Sequence, residues 1–180
     1  MKVQSYFQKY SFLVFISLII SFLAYLFLNS ITGKFIFLSK NYEVIVCPPC
    51  EKNLINFLNS TSYSLKIEMY VLTNPKVIKL LNRLAKRGID IKIILDEDVS
   101  ENYRAIKSLD KGIKVKFGKE DKNLTSYHIK LAIRDEKCIW IGTMNWNDWG
   151  LNSNREIAVI ICDEEIAKKL SETFRKDWLR

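Results

Sequence analysis

The sequence predicts an α/β domain, a mixed β-sheet with helices on both faces, preceded by one N-terminal transmembrane helix. Three observations carry that expectation. Strand-like and helix-like runs alternate four times between Tyr42 and Phe117, an order that builds parallel strands joined by covering helices. Apolar and polar residues then alternate over Ile129 to Arg134, and a charged turn leads to a second apolar run, Cys138 to Ile141, the pattern of an antiparallel hairpin. Finally, no charged residue occurs from Tyr10 to Gly33.

The apolar stretch Ser11 to Leu28 has 18 residues, enough for a helix of about 27 Å, close to the hydrocarbon thickness of a bilayer. Leu28-Asn29-Ser30 is a poor signal-peptidase site, which favours an uncleaved anchor. Lys2 and Lys9 on one side nearly balance Lys34 and Lys40 on the other. The short basic tail leans toward tail inside and domain outside. Residues 1–33 are thus read as tail and anchor, 34–41 as linker, and 42–180 as the folded domain.

Within the domain, Tyr42 to Cys47 reads as a strand, and Glu51 to Asn59 as a helix with Leu54, Ile55 and Leu58 on one face. Leu65 to Leu72 is the next strand. Asn74-Pro75 is an N-cap followed by a first-turn proline, and Gly88 closes the helix they start. Ile89 to Leu95 is almost wholly apolar, as in a parallel strand covered on both faces. A helix over Glu101 to Leu109, with Tyr103, Ile106 and Leu109 inward, and a strand over Lys114 to Phe117 follow. Ile157 to Ile161 is a last strand, and Asp163 caps a final helix whose stripe is Ile166, Leu170, Phe174 and Trp178. The sheet is expected to be parallel first and antiparallel later.

The net charge is +8; setting aside Lys2 and Lys9 leaves 26 bases against 20 acids, or +6. That excess suits a polyanion, either nucleic acid or an acidic membrane, and is equally the mark of a lysine-rich solvated surface. Cys47-Pro48-Pro49-Cys50 lacks a second C-x-x-C or C-x-x-H to complete a metal site. It reads as a turn, with no metal or other cofactor expected. Cys138 and Cys162 read as free cysteines in the core.

The chemistry concentrates between Tyr127 and Glu156. His128 is the only histidine, and Lys130, two residues on in a strand, points the same way. The hairpin returns Gly142, Thr143 and Asn145 toward the same sheet end. For a phosphodiester, an imidazole supplies a nucleophile, while Lys130, Asn145 and the Thr143 hydroxyl donate to phosphoryl oxygens. Glu156 stands at the head of an apolar strand where packing gives a charge no purpose. It is the candidate to fix the imidazole tautomer.

This H-x-K, four residues, D, six residues, G-[S/T]-x-N spacing resembles the signature of the phospholipase D superfamily, over the chain from about Tyr42 to its end. The resemblance implies that His128 forms a phosphohistidine intermediate without a metal, that Lys130 and Asn145 hold the phosphate, and that Glu156 orients the imidazole. Thr143 stands where the family has serine. Asp135 matches the family aspartate and is expected to hold the hairpin turn rather than react. The family mechanism uses two histidines, and this chain has one, so two copies are expected to share a site in a homodimer. Trp140, Trp146 and Trp149 are candidates to stack on bases or meet lipid, with Trp146 first because it follows Asn145. The favoured reading is a membrane-tethered nuclease acting on single- or double-stranded nucleic acid. A phospholipase cleaving phospholipid such as cardiolipin is the alternative, and a catalytically silent nucleic-acid-binding membrane protein a third.

Overall fold

A computed structural model describes residues 16–25, 27, 41–118 and 126–180, and the chain divides into two units, Met1–Ser39 and Lys40–Arg180. In the first, residues 16–25 (α1) are helical, and every one is exposed. The anchor expected over 11–28 lies partly outside the described residues, among which no helix is long and apolar enough to cross a membrane.

The second unit contains β1 (Tyr42–Val46), α2 (Glu51–Asn59), β2 (Ser64–Met69), α3 (Pro75–Lys86), β3 (Asp90–Asp96), α4 (Ser100–Lys107), β4 (Lys114–Gly118), β5 (Lys130–Arg134), β6 (Cys138–Gly142), α5 (Asp148–Asn152), β7 (Ile157–Cys162) and α6 (Glu164–Leu179). Local chemistry explains many of the boundaries. The Asn74 side chain accepts from the amides of Lys76 and Val77, both at 3.0 Å, and Pro75 occupies the first helical position of α3. After that helix Gly88 takes φ +87°, a conformation that favours glycine.

The described strands form one sheet in the order β1-β7-β6-β5-β2-β3-β4. Only β2, β3 and β4 are parallel neighbours. β1 does not open the parallel half, as the order of elements suggested; it pairs antiparallel with β7 at the far edge. The direction of β1 is nonetheless that of β2. The α2 crossover carries the chain past the places of three strands, which β5, β6 and β7 later fill as an antiparallel meander. The carboxyl ends of β1, β2, β3, β4 and β6 therefore meet the amino ends of β5 and β7 at one edge of the molecule, where α/β sheets place ligands.

Helices cover both faces. On one, Leu54, Phe57 and Leu58 of α2 and Val77, Leu80, Leu81 and Leu84 of α3 pack with Ile67, Ala132 and Trp140. On the other, Ala167 and Phe174 of α6 pack with Leu131, Ile133 and Ile139. The buried stripe of α6 is Ala167, Ser171 and Phe174, while Ile166 is 40% exposed, because α6 presents an edge one residue round from the expected one. In α4, Asn102 is buried instead of Tyr103; Asn102 accepts from Leu72 N and donates to the carbonyls of Tyr70 and Asp96. That single side chain ties together the ends of β2 and β3.

Among the described residues no cysteine is free, which corrects the reading of Cys138 and Cys162. These two face each other in the β6–β7 register with Cα atoms 4.0 Å apart and form a disulfide. Cys47 and Cys50 form another, with Cα atoms 5.2 Å apart. The second loop is anchored by Cys47 N to Glu156 O and Cys50 N to Leu151 O, both 2.9 Å.

Under α6, Glu68 is 1% exposed and its Oε1 has no hydrogen-bond partner. Burial, reinforced by the charge of Asp177 and opposed by the Tyr127 hydroxyl, pushes its carboxyl up to about 7. Between the ordinary 4.5 and about 7, the unfolded chain loses its proton while the folded one keeps it. Stability thus falls as pH rises through that window and levels off above it. Glu68→Gln is expected to remove the decline, gaining at most about 3 kcal/mol at pH 8 and little at pH 4.5. Urea unfolding at both pH values checks it, and a gain independent of pH would refute the assignment.

Candidate active site

The site forms where β5 begins. Lys130 is the first residue of β5, directly opposite Met69 of β2, and His128 lies two residues upstream on the same side. Lys130 Nζ stands 2.9 Å from His128 Nε2 and 3.2 Å from the His128 carbonyl oxygen. An ammonium only donates. With Lys130 charged, the His128 Nε2 lone pair is the acceptor in this contact. His128 is exposed, whereas Lys130 is 7% exposed. Burial pushes Lys130 below the usual lysine range, and the charge of Glu156 opposes that fall.

Tyr70, just past β2, sets its ring edge-on to His128 with centroids 4.5 Å apart, and Lys130 Nζ lies 5.1 Å from the same ring. The tyrosine walls the imidazole from one side and attracts the ammonium through its π face. Tyr70 belongs to no sequence motif. Its signal was position, an amphipathic aromatic at the carboxyl end of a parallel strand.

Thr143, one residue beyond β6, donates its hydroxyl to the Glu156 carboxylate and accepts from Ile157 N at 3.1 Å. Asn154 also bonds Glu156, at 3.3 Å. The expected Glu156–His128 hydrogen bond is not formed. β7 lies two strands from β5, ~10 Å across the sheet, so the carboxylate just before β7 meets the nearer hydroxyl at the end of β6.

Asn145 lies in a loop that hydrogen-bonds the β2–α3 connection just past Tyr70: Trp146 N to Val71 O at 2.9 Å, with Thr73 N and Asn74 N both donating to Trp146 O. Asn145 Oδ1 is buried without a partner, and its amide nitrogen makes no hydrogen bond among the described residues. That NH2 is a free donor. Gly150 packs on this loop so closely that a Cβ there would fall 2.3 Å from Asn145 O. Gly150 carries no signal in the sequence, because only the folded loop brings the two backbones together.

Two other residues fall elsewhere. Asp135 lies at the opposite end of β5, ~17 Å along the strand. It is 6% exposed, and its carboxylate accepts from the amides of Ser62, Tyr63 and Ser64 at 2.9, 2.9 and 3.0 Å. Asp135 pins the α2–β2 connection to the hairpin turn. Trp146, like Trp140, is fully buried, which removes it from any role against substrate; the side chain that follows Asn145 turns inward to the core under α3. Trp149 is 71% exposed.

A family model described as "Cardiolipin synthase, PLD-like domain" matches residues 54–178. The chain belongs to the phospholipase D superfamily. It is 29% identical over 128 residues to the mitochondrial cardiolipin hydrolase of Canis lupus familiaris, covering 69% of this chain and 49% of that protein. It is 26% identical over 135 residues to a phospholipase D of Rickettsia felis, covering 73% of this chain and 64% of that one. The chain thus spans about half to two thirds of the length of these relatives. Among solved structures, NucT from Helicobacter pylori superposes with a TM-score of 0.69 at 27% identity, covering 76% of this chain and 94% of that one. In this phospholipase D-like domain the superfamily motif accordingly falls on one hairpin, with its histidine and lysine in contact and its aspartate a strand-length away.

Proposed function

We propose that the chain is a metal-independent phosphodiesterase working through a phosphohistidine on His128, most directly a membrane-tethered nuclease. The observation that carries this reading is the contact between His128 Nε2 and Lys130 Nζ at an exposed strand end. Nε2 attacks phosphorus and the P–O bond to the leaving group breaks. Lys130 turns from the ring to a non-bridging oxygen, Asn145 donates to another, and water then displaces the histidine.

The leaving alkoxide needs a proton, and the chain has one histidine. In this reading His128 of a second copy supplies it, in a homodimer with one shared centre. An apolar patch that α6 leaves exposed supports the pairing: Tyr42, Val44, Val46, Ile141 and Ile157 are between 42% and 56% exposed, share one side of β1, β6 and β7 by register, and end at the Ile157–Thr143 hydrogen bond. The exposed apolar helix α1 supports tethering through residues 11–28. Two disulfides support a catalytic domain on the oxidising, extracytoplasmic side.

A phospholipid diester is the second reading, favoured by α1 and by the names of the cardiolipin hydrolase relatives. The deciding assay incubates the full chain in detergent and chelator with single-stranded DNA, single-stranded RNA, or cardiolipin in mixed micelles. Cleavage of a nucleic acid is the expected outcome. Cleavage of the lipid alone selects the second reading, and a strict need for added divalent metal overturns the histidine scheme.

A further inference from the structure

The sequence of α3 carries two stripes. Val77, Leu80, Leu81 and Leu84 are buried, while Lys79, Arg83 and Lys86, spaced by four and three residues, line up on an exposed side. Arg104 of α4 faces that row, and between the helices runs a groove of about 980 Å³ with Pro75, Ile78 and Ala105 along its floor. Asn82 donates to Ser108 O at 2.8 Å and accepts from Asp110 N at 2.7 Å, so the two helices are held at a fixed separation.

The cations of this groove are unspent. Lys66, Lys76, Lys92, Lys114 and Lys168 each sit against a carboxylate. Among the described residues Lys79, Arg83, Lys86 and Arg104 make no ion pair. The single acid of the lining, Glu101, lies near Arg104.

The groove also leads somewhere. Thr73, Pro75 and Glu101 line both it and a second cavity of about 570 Å³, which Tyr70 and Trp149 border. Tyr70 is the residue set against His128. Asp98, Glu101 and Asp148 line this second cavity. Such a lining repels a phosphate and accepts hydrogen bonds from base amino groups. An exposed indole beside it offers a stacking surface that an unpaired base can reach and a paired one cannot.

We propose that a single-stranded nucleic acid lies in the α3–α4 groove, its phosphates on Lys79, Arg83, Lys86 and Arg104, and turns one base onto Trp149 and Tyr70 before entering the catalytic centre. The proposal rests on the nuclease reading and adds the path of the strand. An acidic lipid surface satisfies the groove but not the acid-lined aromatic cavity, which favours the nucleic acid.

The test uses the full chain in detergent, with a labelled single-stranded oligonucleotide of about 20 nucleotides, and bis(p-nitrophenyl) phosphate as a diester too small to reach the groove. Arg83→Glu with Lys86→Glu is expected to weaken oligonucleotide binding at least tenfold. The slope of log K against log salt should fall in magnitude by about 1.4, since each contact to a single-strand phosphate contributes about 0.7. Trp149→Ala raises KM for the oligonucleotide about tenfold, and all variants hydrolyse the small diester as the parent does. Unchanged oligonucleotide binding and salt slope, with the small diester still cleaved, overturns the groove and leaves the nuclease reading standing. Failure of the parent to cleave the small diester or the oligonucleotide sinks the nuclease reading itself. Loss of phosphatidylglycerol hydrolysis in mixed micelles, with oligonucleotide binding intact, assigns the groove to anionic lipid and also overturns the proposal.

Discussion

His128→Asn is expected to lower kcat by roughly 10⁴-fold or more, because in the proposed shared centre, with one histidine per chain, the substitution removes both the nucleophile and the proton donor. Asn keeps the approximate size of the side chain, and His128 is exposed beside Tyr70, so the fold should survive; an unchanged unfolding midpoint checks that. The sharper measurement is a mixing experiment. Equal amounts of parent and His128→Asn chains, unfolded and refolded together, assort into about one quarter parent dimers, one half mixed dimers and one quarter variant dimers. Each mixed dimer retains only one of the two roles. The mixture should therefore show about a quarter of the activity of the same total of parent chain, whereas independent subunits give about half. A value near half removes the shared centre from the mechanism.

The second large effect is Gly150→Ala. No rotamer choice relieves a Cβ placed 2.3 Å from Asn145 O and 3.0 Å from Asn145 N, because both contacts are backbone. The loop must move by about an ångström, and with it the amide proposed to hold phosphate. A displacement of that size in a positioning group lowers kcat/KM by about 10²-fold. Asn147 accepts from Gly150 N at 2.8 Å, which keeps the start of α5 in place while the Asn145 side shifts. Asn145→Ala should then lower activity by a similar factor, and the double variant should be little worse than either single one. Fully additive losses would mean that Gly150 acts through general stability, and Asn145 would lose its place beside the phosphate.

How much of this was legible in advance varies with the range of the interaction. The α3 start was readable because Asn74 accepts from amides two and three residues away and Pro75 has the fixed φ that a first helical position needs. That His128 and Lys130 point the same way follows from the two-residue period of a strand, and the 2.9 Å contact between them fits it. The inward turn of Trp146 was not readable. Nor was the pairing of Cys138 with Cys162, 24 residues apart, since each looks like a single apolar position until β6 and β7 are known to be neighbours. Glu156, expected to orient the imidazole, instead accepts from Thr143, because the strand order sets β6 between β7 and β5.

By itself the sequence determined the family, the hairpin bearing its motif and the residues grouped at one sheet end, since these depend on local period and fixed spacing. The tertiary structure alone decided that β1 lies at the far edge, that Tyr70, Asn102 and Gly150 support the centre, and that Lys79, Arg83, Lys86 and Arg104 share a groove. The physical reason is that side chains distant along the chain meet only through strand order and helix packing. Those depend on the burial of apolar surface over the whole domain rather than on any one segment.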